Sequence, residues 1–118
     1  ELMKKNISKP KKKSIFKTDD KNKSMPFMEV DLHIEKLIKN TSKIDKIDAL
    51  EIQLDTAKLK LDFAVRNRIP KVVLIHGVGE GILKTALNYL LNKYNCEFYP
   101  ASYKKYGLGA TEVYFLQN

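Results

Sequence analysis

The chain has 118 residues, of which 43% are hydrophobic and 31% charged, and a formal net charge of +8. That length holds one domain rather than two, and Cys96, the single cysteine, rules out a disulfide framework or a zinc cage built within this chain. No apolar run approaches the ~20 residues of a membrane span and there is no signal-peptide pattern, so no membrane partner is expected.

The chain starts at Glu1 rather than a methionine, and is therefore expected to be a fragment of something longer. Residues 1–26 hold nine lysines against Glu1, Asp19 and Asp20, a balance of +6. The remaining 92 residues carry 13 basic and 11 acidic side chains. The positive charge thus belongs mostly to the N-terminal segment and does not make the folded surface basic. Apolar residues are too sparse in this segment to offset the entropy of ordering, so residues 1–26 are expected to be a disordered linker or tail. It would serve as a solvated spacer or as a weak nucleic-acid arm working by counterion release. The folded domain is expected over 27–118, and the cysteine usage favours a cytoplasmic setting.

Phe27 to His33 alternates as a strand, with Met28, Val30 and Leu32 on the core face and Asp31 and His33 sharing the other. Lys39 to Lys43 reads as a loop. Ile47, Leu50, Leu54, Ala57, Leu61 and Ala64 then form an apolar stripe at helical spacing. A helix over 45–68 would be about 36 Å long. Asp45 or Asp48 can cap its start, Arg66 and Arg68 suit its negative end, and Pro70 stops it.

The continuous apolar run Val72 to Ile75 suits a strand covered on both faces. A glycine loop follows, and Ile82, Leu83, Ala86, Leu87, Leu90, Leu91 and Tyr94 mark a second amphipathic helix. Strands are predicted at 95–101 and 111–116, with a turn at Tyr106 to Ala110. The result is an α/β fold, a two-layer βαβαββ sandwich with two helices on a four-stranded mixed sheet. Right-handed crossovers make the first three strands parallel, and the closing hairpin makes the sheet mixed.

His33 and His76 both end predicted strands, at the edge where open α/β sheets bind ligands. If the strands are neighbours, Asp31, His33 and His76 converge there. Imidazoles titrating near neutrality suit general acid–base work on a phosphodiester, with Asp31 orienting one ring. The bland alternative is a pair of structural hydrogen-bonding histidines.

Gly77, Gly79 and Gly81 lead from a strand into a helix, a geometry that offers amides and a positive helix end to an anion such as phosphate. Glu80 opposes this, and the glycines could simply permit a tight turn. Lys84-Thr85 resembles the end of a P-loop, but Leu83 stands where that loop needs glycine. The glycine spacing, after the second strand, also disfavours a dinucleotide fold. Near the last turn Tyr99, Tyr103 and Tyr106 accompany Lys104 and Lys105, a combination suited to base stacking with phosphate contact, or to tyrosines half-buried at a sheet end.

Three segments, in this order and spacing, resemble the Smr (small MutS-related) family. Asp31-Leu32-His33 is similar to its D-x-H motif and His76-Gly77-Val78-Gly79 to its H-G-x-G motif. Gly107-Leu108-Gly109-Ala110-Thr111 is similar to its G-x-G-A-T motif. The chain departs from the family pattern at Ile34 and Tyr106, where glycine is usual, and at Val78, where lysine is usual. The resemblance implies the βαβαββ fold and a DNA-nicking or RNA-cleaving endonuclease, with Asp31, His33 and His76 as catalytic residues. Gly77, Gly79 and Gly81 are then expected to bind phosphate, and Lys104, Lys105, Gly107 and Gly109 to contact nucleic acid. DNA or structured RNA is the expected partner, and a divalent cation, magnesium or manganese, the cofactor left open. The alternative is a catalytically silent module that binds nucleic acid, a ribosome or a partner protein.

Overall fold

The computed structural model describes residues 25–116. The linker expected over 1–26 therefore lies almost wholly outside the described residues. In chain order the elements are β1 (Phe27–Asp31), α1 (Ile34–Leu37), α2 (Lys46–Arg66), β2 (Lys71–Ile75), α3 (Ile82–Leu91), β3 (Cys96–Pro100), α4 (Tyr103–Tyr106) and β4 (Ala110–Phe115). Two helices were expected; α1 and α4 are additional single turns. Each is too short to show a helical period in sequence.

The long helix is shorter at both ends than its predicted range. Asp45 sits outside it as the N-cap, its carboxylate accepting from the Asp48 amide at 2.8 Å. At the other end Asn67 donates to the Phe63 carbonyl at 2.8 Å and Arg68 turns left-handed at φ 56°, before Pro70. Ala57, Leu61 and Ala64 are fully buried, whereas Ile47, the first residue of the predicted stripe, is 77% exposed. Ile47 stands in the first turn of α2 and is not part of the buried core that the helix forms with the sheet.

The sheet order is β1-β2-β4-β3. β1 and β2 are parallel, while β4 is antiparallel to both its neighbours. The first three strands thus run in one direction, as expected, with the last strand inserted between the second and third. Against one sheet face, α2 and α3 bury Val30, Leu32, Val72, Leu74 and Val113 with Leu61, Leu87 and Leu91. On the other face Val73, Ala101 and Ala110 form a small second cluster beneath Ile75 and Tyr106. Among the described residues no helix is long and apolar enough to cross a membrane.

The register decides what meets at the C-terminal strand edge. Asp31 pairs with Ile75, and Ile75 with Ala110. One step beyond, the three motifs leave the sheet side by side.

Candidate functional site

Asp31 ends β1 on the face away from α2. Its Oδ1 accepts from the His33 backbone amide at 3.0 Å and lies 2.7 Å from His33 Nδ1. A carboxylate can only accept, so Nδ1 carries the proton and, in the neutral ring, Nε2 keeps its lone pair. Among the described residues Nε2 has no hydrogen-bond partner; the side chain is 42% exposed. Burial pushes the Asp31 carboxyl up, but the His33 amide and ring, helped by Lys36, outweigh it and hold the group below its ordinary value.

The segment bearing this pair is anchored on both sides. The Leu32 amide donates to Ile75 O at 2.8 Å, and the Gln53 side chain donates from α2 to Leu32 O at 2.8 Å. Gln53 lies within a helix otherwise read for its apolar stripe, and no sequence pattern marked it.

His33 Nε2 lies over Gly77. A Cβ on Gly77 would sit 2.8 Å from that nitrogen, and Gly77 has φ +80°, so glycine is required here twice over. Gly109 abuts the other side of Gly77, where its Cβ would lie 3.3 Å from the Gly77 Cα. The Gly109 carbonyl accepts from both the His76 and the Gly77 amides, each at 2.9 Å.

His76 has a different setting. It follows Val72 and Leu74 in strand alternation and so points to the helix-covered face, where it is 8% exposed. Its Nδ1 is 2.9 Å from Gly77 O and its Nε2 is 3.0 Å from Thr111 Oγ1. The carbonyl only accepts, so Nδ1 donates to it and the Thr111 hydroxyl donates to Nε2. Both ring nitrogens are engaged and the ring is neutral. Burial lowers its pKa, the bond to Gly77 works the other way, and Lys84 and His33 lower it further. The structure thus gathers Asp31, His33 and His76 around Gly77, with only His33 keeping a free nitrogen. Thr111 was quoted in sequence as part of a motif, not as a site residue; its role depends on a partner 35 residues away.

The glycine loop rises beside this edge. Gly79 and Gly81 have φ of 36° and 85°, and Gly81 is the N-cap of α3 with no side-chain cap. The first-turn amides of α3 therefore face the loop without intrahelical acceptors. Val78 is 66% exposed and Glu80 is also exposed.

The tyrosine–lysine group expected near the last turn is not gathered at this edge. Tyr106 donates its hydroxyl to Glu29, and Lys105 Nζ lies 3.7 Å from the same carboxylate and 5.9 Å from the Phe27 ring centroid, on the open sheet face. Tyr99 donates to Glu97 at 2.6 Å, and this carboxylate with burial pushes its phenol up to about 12. Lys104 and Tyr103 remain exposed. Gly107 has φ +64° and Gly109 belongs to the site through its backbone.

The two best-formed clefts are elsewhere. The larger, at the opposite strand edge, is lined by Asp62, Arg66, Arg68, Lys93, Tyr94 and Phe115 among others, and neither cleft includes a histidine. Among the described residues no group of three or more His, Cys, Asp or Glu side chains comes together to hold a metal ion.

A family model described as the Smr domain matches residues 47–116, which include His76, the glycine loop and Thr111. Asp31 and His33 precede that segment and reach it through β1–β2 pairing. The chain is also similar to the crystal structure of the Smr domain of Thermus thermophilus MutS2, with 22% identity and a TM-score of 0.55, over 76% of this chain and 99% of that one. At that identity the likeness concerns the fold. No curated protein matches the chain.

Proposed function

This chain belongs to the Smr domain family, and we propose that it is a nucleic-acid-binding module in which the Asp31–His33 pair cleaves a phosphodiester. One observation carries the reading: Nδ1 of His33 is spent on Asp31 at 2.7 Å while Nε2 stands bare at the strand edge. That is the arrangement of an oriented general base. Nε2 takes the proton of an attacking hydroxyl, from water or from a ribose. The oxygen attacks phosphorus, the bond to the leaving oxygen breaks, the leaving oxygen takes a proton from water, and the imidazolium returns its own proton to solvent. Asp31 fixes the tautomer and stabilises the imidazolium that forms. The glycine loop and the uncapped first turn of α3 offer amides to the phosphate oxygens. These are all groups of the chain itself; among the described residues no three His, Cys, Asp or Glu side chains come together as a cage for a cation.

A second reading has its own observation. His76 has no ring nitrogen left to act as a matching acid, which favours a module that binds nucleic acid, a ribosome or a partner protein without cutting. The test uses end-labelled single-stranded and duplex DNA and RNA, each with magnesium, manganese or a chelator. Strand cleavage lost in His33→Ala, with affinity retained, supports the nuclease. Binding without cleavage under every condition leaves the silent module, and absence of both overturns the nucleic-acid reading.

A further inference from the structure

Thr111 touches no exposed surface, being 4% exposed, and its hydroxyl faces a ring that is itself closed off. Three contacts make one device. Thr111 Oγ1 holds His76 Nε2 at 3.0 Å, and His76 Nδ1 holds Gly77 O at 2.9 Å. The Gly109 carbonyl, two residues before Thr111, holds the Gly77 amide at 2.9 Å. The peptide groups on both sides of Gly77 are therefore gripped from β4 and the residue before it, one directly by Gly109 and one by Thr111 through the imidazole. Gly77 is the residue over which His33 Nε2 sits, with no room for even a methyl group between them.

We infer that Thr111 is a positioning residue: acting through the His76 ring, its hydroxyl fixes the Gly77 peptide beneath His33 Nε2 and so sets where that nitrogen meets the substrate. This rests on the proposed nuclease reading for its consequence, though not for its geometry. A charged His76 would need an acceptor at Nε2, and Thr111 would have to turn its hydroxyl away in a buried space. The other groups that act on the ring electrostatically are Lys84 from α3 and His33 from the β1 end, and both oppose a positive charge. A shift of Gly77 would change the floor against which the His33 ring rests and the space at Nε2, and displacements near 1 Å cost about 100-fold in rate.

The experiment uses the full chain in two arms. In the first, nitrogen-15 NMR of the imidazoles follows both histidines through acid titration. The neutral His76 ring should keep its proton on Nδ1 and should charge only below the ordinary imidazole value. A neutral ring with its proton on Nε2, or a ring that charges at or above that value, overturns the inference whether or not anything is cleaved. In the second, Thr111→Val keeps the shape and removes the hydroxyl, and Thr111→Ser keeps the hydroxyl. On whichever labelled oligonucleotide the wild type cuts, kcat should fall roughly 10- to 100-fold in the valine variant with KM little changed. The serine variant should recover most of that loss. Wild-type kcat in the valine variant, or equal losses in both variants at unchanged Tm, would show that the hydroxyl positions nothing. If the wild type cuts no substrate, the nuclease reading fails while the NMR arm still decides the tautomer and the lock.

Discussion

The loop after β1 and the loop after β2 each carry a histidine just past the end of a strand, two neighbours in one parallel pair. Their chemistry is opposite. His33 is half-exposed, tied by one nitrogen to a carboxylate, with the other nitrogen bare. His76 is buried, and both its nitrogens are held by the chain. Strand parity separates them: His33 shares the open face with Asp31, and His76 shares the covered face with Val72 and Leu74. Position at a strand end therefore identifies where a site lies, but the face a side chain takes decides whether it can exchange a proton there.

The sharpest way to break this contrast is to remove each ring in turn. His33→Ala should lower the cleavage rate by about 10²–10⁴-fold, near 3–5 kcal/mol of barrier, with stability changed by no more than about 1 kcal/mol. His76→Ala should instead lower stability by about 1–3 kcal/mol, because the Gly77 carbonyl and Thr111 hydroxyl lose their partner in a buried space. Urea unfolding of both variants beside wild type checks this. Equal stability losses would erase the distinction between the two loops.

Gly77→Ala attacks both loops at their point of contact. The left-handed backbone and a Cβ 2.8 Å from His33 Nε2 should together cost about 1–3 kcal/mol and displace the base. Cleavage measured on protein confirmed to be folded should fall with it.

The contrast also has a pH signature. The His76 pKa is depressed in the folded state from its ordinary 6.5, so the unfolded chain binds more protons in mildly acid solution. Stability is then fully present above about pH 6.5 and declines as pH falls below it. Asp31, also depressed, adds a loss at lower pH, below the ordinary carboxylate range. Unfolding midpoints from pH 7.5 to 5 should drop in wild type and drop less in His76→Gln. A flat profile would mean that His76 titrates in the fold as it does in the unfolded chain.

The smallest effect belongs to Val78, 66% exposed in the glycine loop between β2 and α3. Val78→Lys should alter stability by less than about 0.5 kcal/mol. If nucleic acid lies across this edge, the slope of log affinity against log salt should steepen by up to about 0.9. An unchanged slope would place the phosphate path away from Gly77.

Much of this arrangement was legible in the residues. Alternation from Met28 to Leu32 put Asp31 and His33 together on the face opposite the core, and three motifs in order implied the fold. The different fate of His76 was not legible, because Val72 to Ile75 is apolar on both sides and gives no parity to read. Thr111 and Gln53 act across 35 and 21 residues of chain respectively, and only the strand order and the packing of α2 on the sheet bring them in. Lys105 and Tyr106 read as nucleic-acid contacts by composition, yet Glu29, on a strand far away in sequence, draws both onto the open face.

The central place of β4 has a consequence for how the chain is made. Its partner β2 is synthesised long before it, and the 35 residues from His76 to Thr111 take about 2–7 s at ordinary elongation rates. Until β4 arrives β2 has one paired edge at most, and its Val72 to Leu74 segment lacks the partner that covers that edge in the finished sheet. The hydroxyl that secures His76 is thus delivered well after the ring it holds, and the nascent domain passes through an adhesive stage before this strand edge is complete.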